Sequence, residues 1–197
     1  MRLEQAAKDR QPVGFEVGFG LEDLHGEPLA RPDPVTIDLG EGMRFSLRGR
    51  IDRIDRVGSA VEVVDYKTGR GLTDRRGAVY DRGRLLQHAL YALVAEQLAG
   101  EPGAVRASSY YFPTVEAQRD WLPFHFPDRE RLRSVLDDVL DPLATGAFVH
   151  AHEPDRDCLY CDFKAACRAH AETGAAAKLK NESNALLESR RRLLEVE

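Results

Sequence analysis

Gly49-Arg50-Ile51-Asp52-Arg53-Ile54-Asp55 and Val63-Val64-Asp65-Tyr66-Lys67-Thr68-Gly69 are the two stretches whose reading decides the fold. Arg44 to Ile51 alternates: Phe45, Leu47, Gly49 and Ile51 point one way, and Arg44, Ser46, Arg48 and Arg50 the other. Val61 to Lys67 is short and β-branched, so both segments read as strands. Gly58-Ser59 lies between them, with glycine at the first central position of a two-residue type II′ turn. That turn pairs residues whose numbers sum to 117, which sets Asp52 opposite Asp65. Directly opposed residues have Cβ atoms about 4.5–5.5 Å apart. Lys67, two residues beyond Asp65, falls on the same face.

Two carboxylates that close repel each other unless a cation or a proton sits between them. Hard oxygen donors favour Mg²⁺ or Mn²⁺, which also bind phosphate. Such an ion polarises a phosphoryl oxygen and lowers the pKa of a bound water. Lys67 beside it would stabilise charge developing on the phosphate or orient the water. The pattern is a minimal kit for phosphodiester hydrolysis. It equally describes a solvated hairpin carrying cross-strand charge pairs.

The order of motifs carries more than any one of them. Asp52 in Gly49–Asp55, the run Val64-Asp65-Tyr66-Lys67-Thr68-Gly69, Gln87 and Tyr91 in Leu86-Gln87-His88-Ala89-Leu90-Tyr91, and then Cys158, Cys161 and Cys167 span most of the chain. In this the sequence resembles the PD-(D/E)XK nucleases, specifically the RecB/AddB-like exonuclease branch. The resemblance implies an α/β, restriction-endonuclease-like fold: a mixed central β-sheet flanked by helices, then a cysteine-containing segment and a terminal helix. It implies that Asp52 and Asp65 are metal ligands, with the Tyr66 carbonyl as a third. Lys67 would be the catalytic lysine, and Gln87 and Tyr91 would line the site from the following helix. Leu86, Leu90, Leu93, Val94 and Leu98 give that helix an apolar stripe, bordered by Gln87 and Tyr91. The same two residues also suit the edge of a helix–sheet contact.

Two features depart from the family pattern. Relatives of this branch carry a histidine on an upstream helix, whereas the first histidine here is His25, in a Pro/Gly-rich stretch. The iron–sulfur members use four cysteines, the first far upstream, and this chain has three. Both gaps lie on the N-terminal side, which is expected of a chain that starts inside the domain; activity of this chain alone is then in question.

All three cysteines fall in Cys158-Leu-Tyr-Cys161 and Cys167. Three cannot form a closed disulfide framework and no signal peptide is visible, so a reducing cytoplasm is expected. C-x₂-C is a metal-ligand spacing. The resemblance implies a [4Fe–4S] cluster pinning the C-terminal segment. Zinc is the rival, with His150, His152 or His170 completing a Cys₃His site. Three incidental thiols are the remaining alternative.

With 197 residues, 43% of them hydrophobic, the chain can bury a core as one domain. No apolar run reaches the length of a membrane span. A net charge of −5 argues against a general basic DNA-coating protein. Local arginines remain: Arg44, Arg48 and Arg50 on one strand face, and Arg70, Arg75, Arg76, Arg82 and Arg84 before the Gln87 helix. These suit backbone phosphates or a merely solvated face.

The expected organisation is a loop-rich segment over 1–42 with a strand near Phe15–Phe19, a nuclease core over 43–145, a cysteine segment over 146–170 and a helical tail over 171–197. Within the core, helices are expected at about 83–99 and 128–144 and strands at about 105–112 and 119–126. Leu132, Val135, Leu136, Val139, Leu140 and Leu143 would give the second helix one continuous apolar face. Leu179, Leu186 and Leu193 predict one terminal helix over about 174–196.

Two functions compete. One is a Mg²⁺-dependent DNA exonuclease module of a RecB/AddB-type helicase–nuclease, acting without sequence preference on DNA ends in recombination and double-strand break repair. Its helicase would lie elsewhere, since no G-x-x-x-x-G-K-[ST] occurs here. The other is a catalytically incomplete module that keeps the fold and binds DNA or a helicase partner.

Overall fold

The computed structural model describes residues 10–22, 26–68, 77–101, 103–114, 120–151, 153–159, 161–167 and 171–197. His25, His152, His170, Arg70, Arg75 and Arg76 lie outside the described residues. Seven strands are described: β1 (Arg10–Phe19), β2 (Val35–Asp38), β3 (Arg44–Leu47), β4 (Gly49–Val57), β5 (Ala60–Tyr66), β6 (Val105–Tyr111) and β7 (Trp121–His125). The helices are α1 (Gln87–Ala99), α2 (Arg129–Thr145), α3 (Pro154–Asp157), α4 (Ala171–Lys180) and α5 (Glu188–Glu195). The chain divides near Arg133 into two units, each with its own contacts.

In the first unit, β1-β4-β5-β6-β7 form one sheet and β2-β3 a second, two-stranded one. Only β5 and β6 run parallel; the other neighbours are antiparallel. A parallel return needs a crossover, and α1 supplies it, packing across β5 and β6. The chain therefore adopts the expected mixed α/β, restriction-endonuclease-like architecture.

The alternating run Arg44–Ile51 is not one strand. It breaks at Arg48: β3 pairs with β2, and β4 joins the main sheet. Arg44, Arg48 and Arg50 consequently share no strand face. The pleat repeats every two residues in either sheet, so alternation continues through a point where a chain changes sheets. The N-terminal segment also holds more strand than the Phe15–Phe19 reading. β1 occupies a sheet edge, where Pro12, beside a register shift between Pro12 and Gly14, leaves no central ladder bond unmade.

α1 begins at Gln87 rather than near residue 83, and Gly100 closes it at φ 74°, its N–H bonding the Glu96 carbonyl. Ala89, Ala92, Leu93, Val94 and Ala95 are all buried, so the helix is covered on most of its circumference rather than along one stripe. In the second unit, Leu140 and Leu143 at the end of α2 are exposed, so the apolar face fades there. The tail is two helices, not one. Asn181 Oδ1 accepts hydrogen bonds from the Ser183 N–H (3.2 Å) and hydroxyl (2.6 Å), a local turn that competes with helix. Leu186 is 61% exposed while Leu179 and Leu193 are buried, so the heptad stripe is broken. Arg192 forks onto Asp138 and Ser189 donates to Asp141 at 2.7 Å, tying α5 to the second half of α2.

Candidate active site

The β4–β5 ribbon has the register that Gly58-Ser59 dictates. Val57 pairs with Ala60, Arg56 with Val61 and Arg53 with Val64. Gly58 takes φ 64°, the positive value that the first central position of a type II′ turn needs. The paired ladder ends at Arg53–Val64. One step beyond, the Tyr66 N–H donates to Asp52 Oδ2 at 2.7 Å, a side chain standing in for the next main-chain rung. Past this point β5 is held by β6: Tyr66 pairs with Tyr111, and the Lys67 N–H bonds the Tyr111 carbonyl at 2.9 Å. Asp52 and Asp65 therefore meet where the ribbon opens, not as a bonded rung.

Asp65 is 4% exposed. Its Oδ2 stands 2.6 Å from Lys67 Nζ as a charge partner. Among the described residues no donor meets that oxygen at hydrogen-bonding geometry. Lys67 Nζ donates to Gln87 Oε1 at 2.5 Å and lies 4.8 Å from the centre of the Tyr110 ring. Burial pushes the Asp65 carboxyl above its ordinary pKa; Lys67 pulls it down, and the charge of Asp52 pushes it up again. A site with two carboxylates, one buried, and one ammonium is short of positive charge.

Gln87 is thus in the site, placed there as the first residue of α1. Tyr91, one turn on, packs edge-to-face on Phe19 with ring centres 6.1 Å apart. It makes no hydrogen bond to Asp52, Asp65 or Lys67 among the described residues. Gly49 explains the fit: a Cβ there would lie 3.1 Å from Phe19 and 3.6 Å from the Tyr91 hydroxyl.

Two residues of the site's support escaped the sequence reading. Tyr110 carries the ring beneath Lys67, and its hydroxyl accepts the His88 N–H at 3.2 Å; burial pushes its pKa up to about 12. His88 is buried, stacked on Phe124 at 3.8 Å and on Tyr80 at 6.0 Å. Its Nε2–H donates to the Val79 carbonyl at 2.7 Å, and burial drops its pKa to about 4. Only its place beside Gln87 hinted at it.

The cysteines stand apart from this site in sequence. Cys158 and Cys161 are half-buried, Cys167 is exposed, and none is in a disulfide. Cys167 Sγ lies 3.9 Å from His150 Nδ1. Among the described residues, no three His, Cys, Asp or Glu side chains gather into a metal-holding group. No described helix is long and apolar enough to cross a membrane.

The sequence profile of the PD-(D/E)XK nuclease superfamily matches residues 1–168. Three similar curated proteins, each named as a subunit of an ATP-dependent helicase/deoxyribonuclease, come from Limosilactobacillus fermentum, Symbiobacterium thermophilum and Anoxybacillus flavithermus. The first is 38% identical over 131 residues, covering 60% of this chain and 10% of the relative. The second is 40% identical over 115 residues, covering 54% and 9%. The third is 34% identical over 153 residues, covering 72% and 12%. The chain spans about a tenth of the length of the curated relatives it matches.

Proposed function

Since the chain belongs to the PD-(D/E)XK nuclease superfamily, we propose that it is a deoxyribonuclease module hydrolysing phosphodiester bonds at DNA ends with Mg²⁺ or Mn²⁺. The observation that carries this reading is the run of contacts from buried Asp65 to Lys67 to Gln87, beside Asp52 at the mouth of one ribbon. The names of the relatives support DNA as substrate and a helicase as partner. A place in recombination and double-strand break repair is part of the same proposal.

The donors fit a hard divalent cation. Two carboxylates and the Tyr66 main-chain carbonyl are all oxygen, and the buried Asp65 Oδ2 has only the Lys67 ammonium, at 2.6 Å, against its charge. Asp52, Asp65 and the Tyr66 carbonyl would hold the ion, with Gln87 and Tyr91 as support. When bound, it supplies Lewis acidity to the phosphate and acidity to the attacking water. Lys67 supplies a second positive charge toward the phosphate as negative charge builds on it. Gln87 fixes the direction of the ammonium, and the Tyr110 ring supports it from below. Attack by water forms one P–O bond while the bond to the departing sugar oxygen breaks.

Among the described residues the cysteine segment brings no three metal-ligating side chains together. We propose that Cys158, Cys161 and Cys167 serve a structural role, either as three thiolates of a [4Fe–4S] cluster completed by a ligand from elsewhere or as a zinc site with His150 as the fourth ligand. Iron, sulfide and zinc content of the anaerobically purified protein decides between them.

A second reading, a catalytically incomplete module that binds DNA or a helicase partner, is favoured by one observation. Only two carboxylates meet at the ribbon mouth among the described residues. Incubation with linear single-stranded DNA and Mg²⁺ or Mn²⁺ separates the two. The nuclease reading expects metal-dependent degradation that Asp65→Ala and Lys67→Ala both abolish. Intact DNA with retained DNA or partner binding supports the module.

A further inference from the structure

The sheet face turned away from α1 carries a row of rings that hydrolysis does not use. Tyr66, Tyr111 and Trp121 are register partners at the same end of β5, β6 and β7. Tyr66 and Tyr111 have ring centres 6.0 Å apart, and Tyr111 and Trp121 5.0 Å apart. A guanidinium closes each end. Arg53 Nη1 donates to the Tyr66 hydroxyl at 3.3 Å, and Arg10 lies 4.9 Å from the Trp121 ring centre.

The arginines are held in place from below. Asp55, 0% exposed, takes Arg10 at 3.0 Å and Arg53 at 2.6 Å. Glu62, also buried, takes Arg10 at 2.5 Å and Arg106 at 2.6 Å. Three guanidiniums against two carboxylates leave one net positive charge. The carboxylates are beneath, while Tyr66 is 36% exposed and the Arg106 side chain 64%. Beside Trp121 the face sinks into a hollow of about 470 Å³, lined by Arg10, Arg106, Ser109 and His125 among others. A salt-bridge network alone accounts for the buried carboxylates. It does not account for three rings in line on the same face.

We propose that this face is a stacking platform for single-stranded nucleic acid: bases lie on Tyr66, Tyr111 and Trp121, and backbone phosphates meet Arg106 and the arginines at either end. Rings on which bases stack, combined with positive charge that tracks the phosphates, are the general means of holding a single strand without reading its sequence. Duplex DNA hides its base faces and is a poor complement. An apolar protein surface would leave the one net positive charge of the face unmatched. The proposal rests on the nuclease reading for its substrate class. Tyr66 links the two sides of the sheet, since it sits between Asp65 and Lys67 and its side chain points to the opposite face. The row and the site thus share the end of β5, on opposite faces of the sheet.

The chain has a single tryptophan, so its fluorescence reports this face and no other. The test is a titration of the protein with oligothymidylate in EDTA, where metal-dependent cleavage cannot occur. Saturable quenching of Trp121 is expected. Tyr111→Leu weakens the affinity roughly fivefold or more. Arg106→Ala weakens it too and lowers the slope of log affinity against log salt by roughly 0.7. Asp65→Asn leaves the quenching as it was. Circular dichroism shows that each variant is folded. The proposal is overturned by unchanged fluorescence, by equal quenching with duplex, or by quenching lost in Asp65→Asn alone. An emission change that follows protein concentration, or an acidic peptide, and not oligothymidylate, also overturns it and makes the face a protein contact. Quenching without cleavage would sink the nuclease reading and leave the platform standing; cleavage without quenching would do the reverse.

Discussion

Lys67 Nζ and Gln87 Oε1 lie 2.5 Å apart, a bond that ties the end of β5 to the first residue of α1. Residues twenty apart in sequence thus set the direction of one ammonium group. Gln87→Ala removes the acceptor without touching the carboxylates. It is expected to cut the DNA cleavage rate roughly tenfold to a hundredfold, while unfolding free energy changes by only about 1 kcal/mol. Paired cleavage assays and urea denaturation check this. Equal rates in both proteins would show that Gln87 does not direct Lys67.

Asp55 has no exposure and bonds both Arg10 and Arg53. Asp55→Ala leaves two guanidiniums over a buried gap and is expected to destabilise the fold by about 3–5 kcal/mol, read from the urea midpoint.

His88 makes stability depend on pH. Its ordinary pKa of 6.5 falls to about 4 in the folded chain. Between these values the unfolded chain binds the proton and the folded one does not, so stability falls as pH drops from 6.5 toward 4. The full difference is about 3 kcal/mol. The raised Asp65 carboxyl works in the opposite direction, binding its proton first in the folded state. Urea midpoints across this range should fall toward acid in the native chain and fall less in His88→Phe.

Gly49 has no special backbone requirement, only a lack of room, because its missing Cβ would face the buried Phe19 ring at 3.1 Å. Gly49→Ala is expected to cost about 1–2 kcal/mol as Phe19 and Tyr91 shift, measured by thermal unfolding.

The ribbon was legible in the sequence because everything that defines it is local. Gly58-Ser59 sets the register, and the register brings Asp52, Asp65 and Lys67 together. Gln87 was legible through helical spacing and family order. Tyr110 was not: it reaches Lys67 through a parallel pairing across a whole crossover helix, which no local pattern encodes. The break at Arg48 was hidden because alternation is the same in both sheets. The break after Lys180 was visible only in the turn chemistry of Asn181, which the leucine spacing outweighed.

The most direct measurement of the central claim is calorimetric titration of Mn²⁺ into the protein without DNA. The account predicts one Mn²⁺ site per chain, lost when Asp52→Asn and Asp65→Asn are combined, with circular dichroism unchanged. Mn²⁺ binding that survives both substitutions, or a native chain that takes up none, would contradict it.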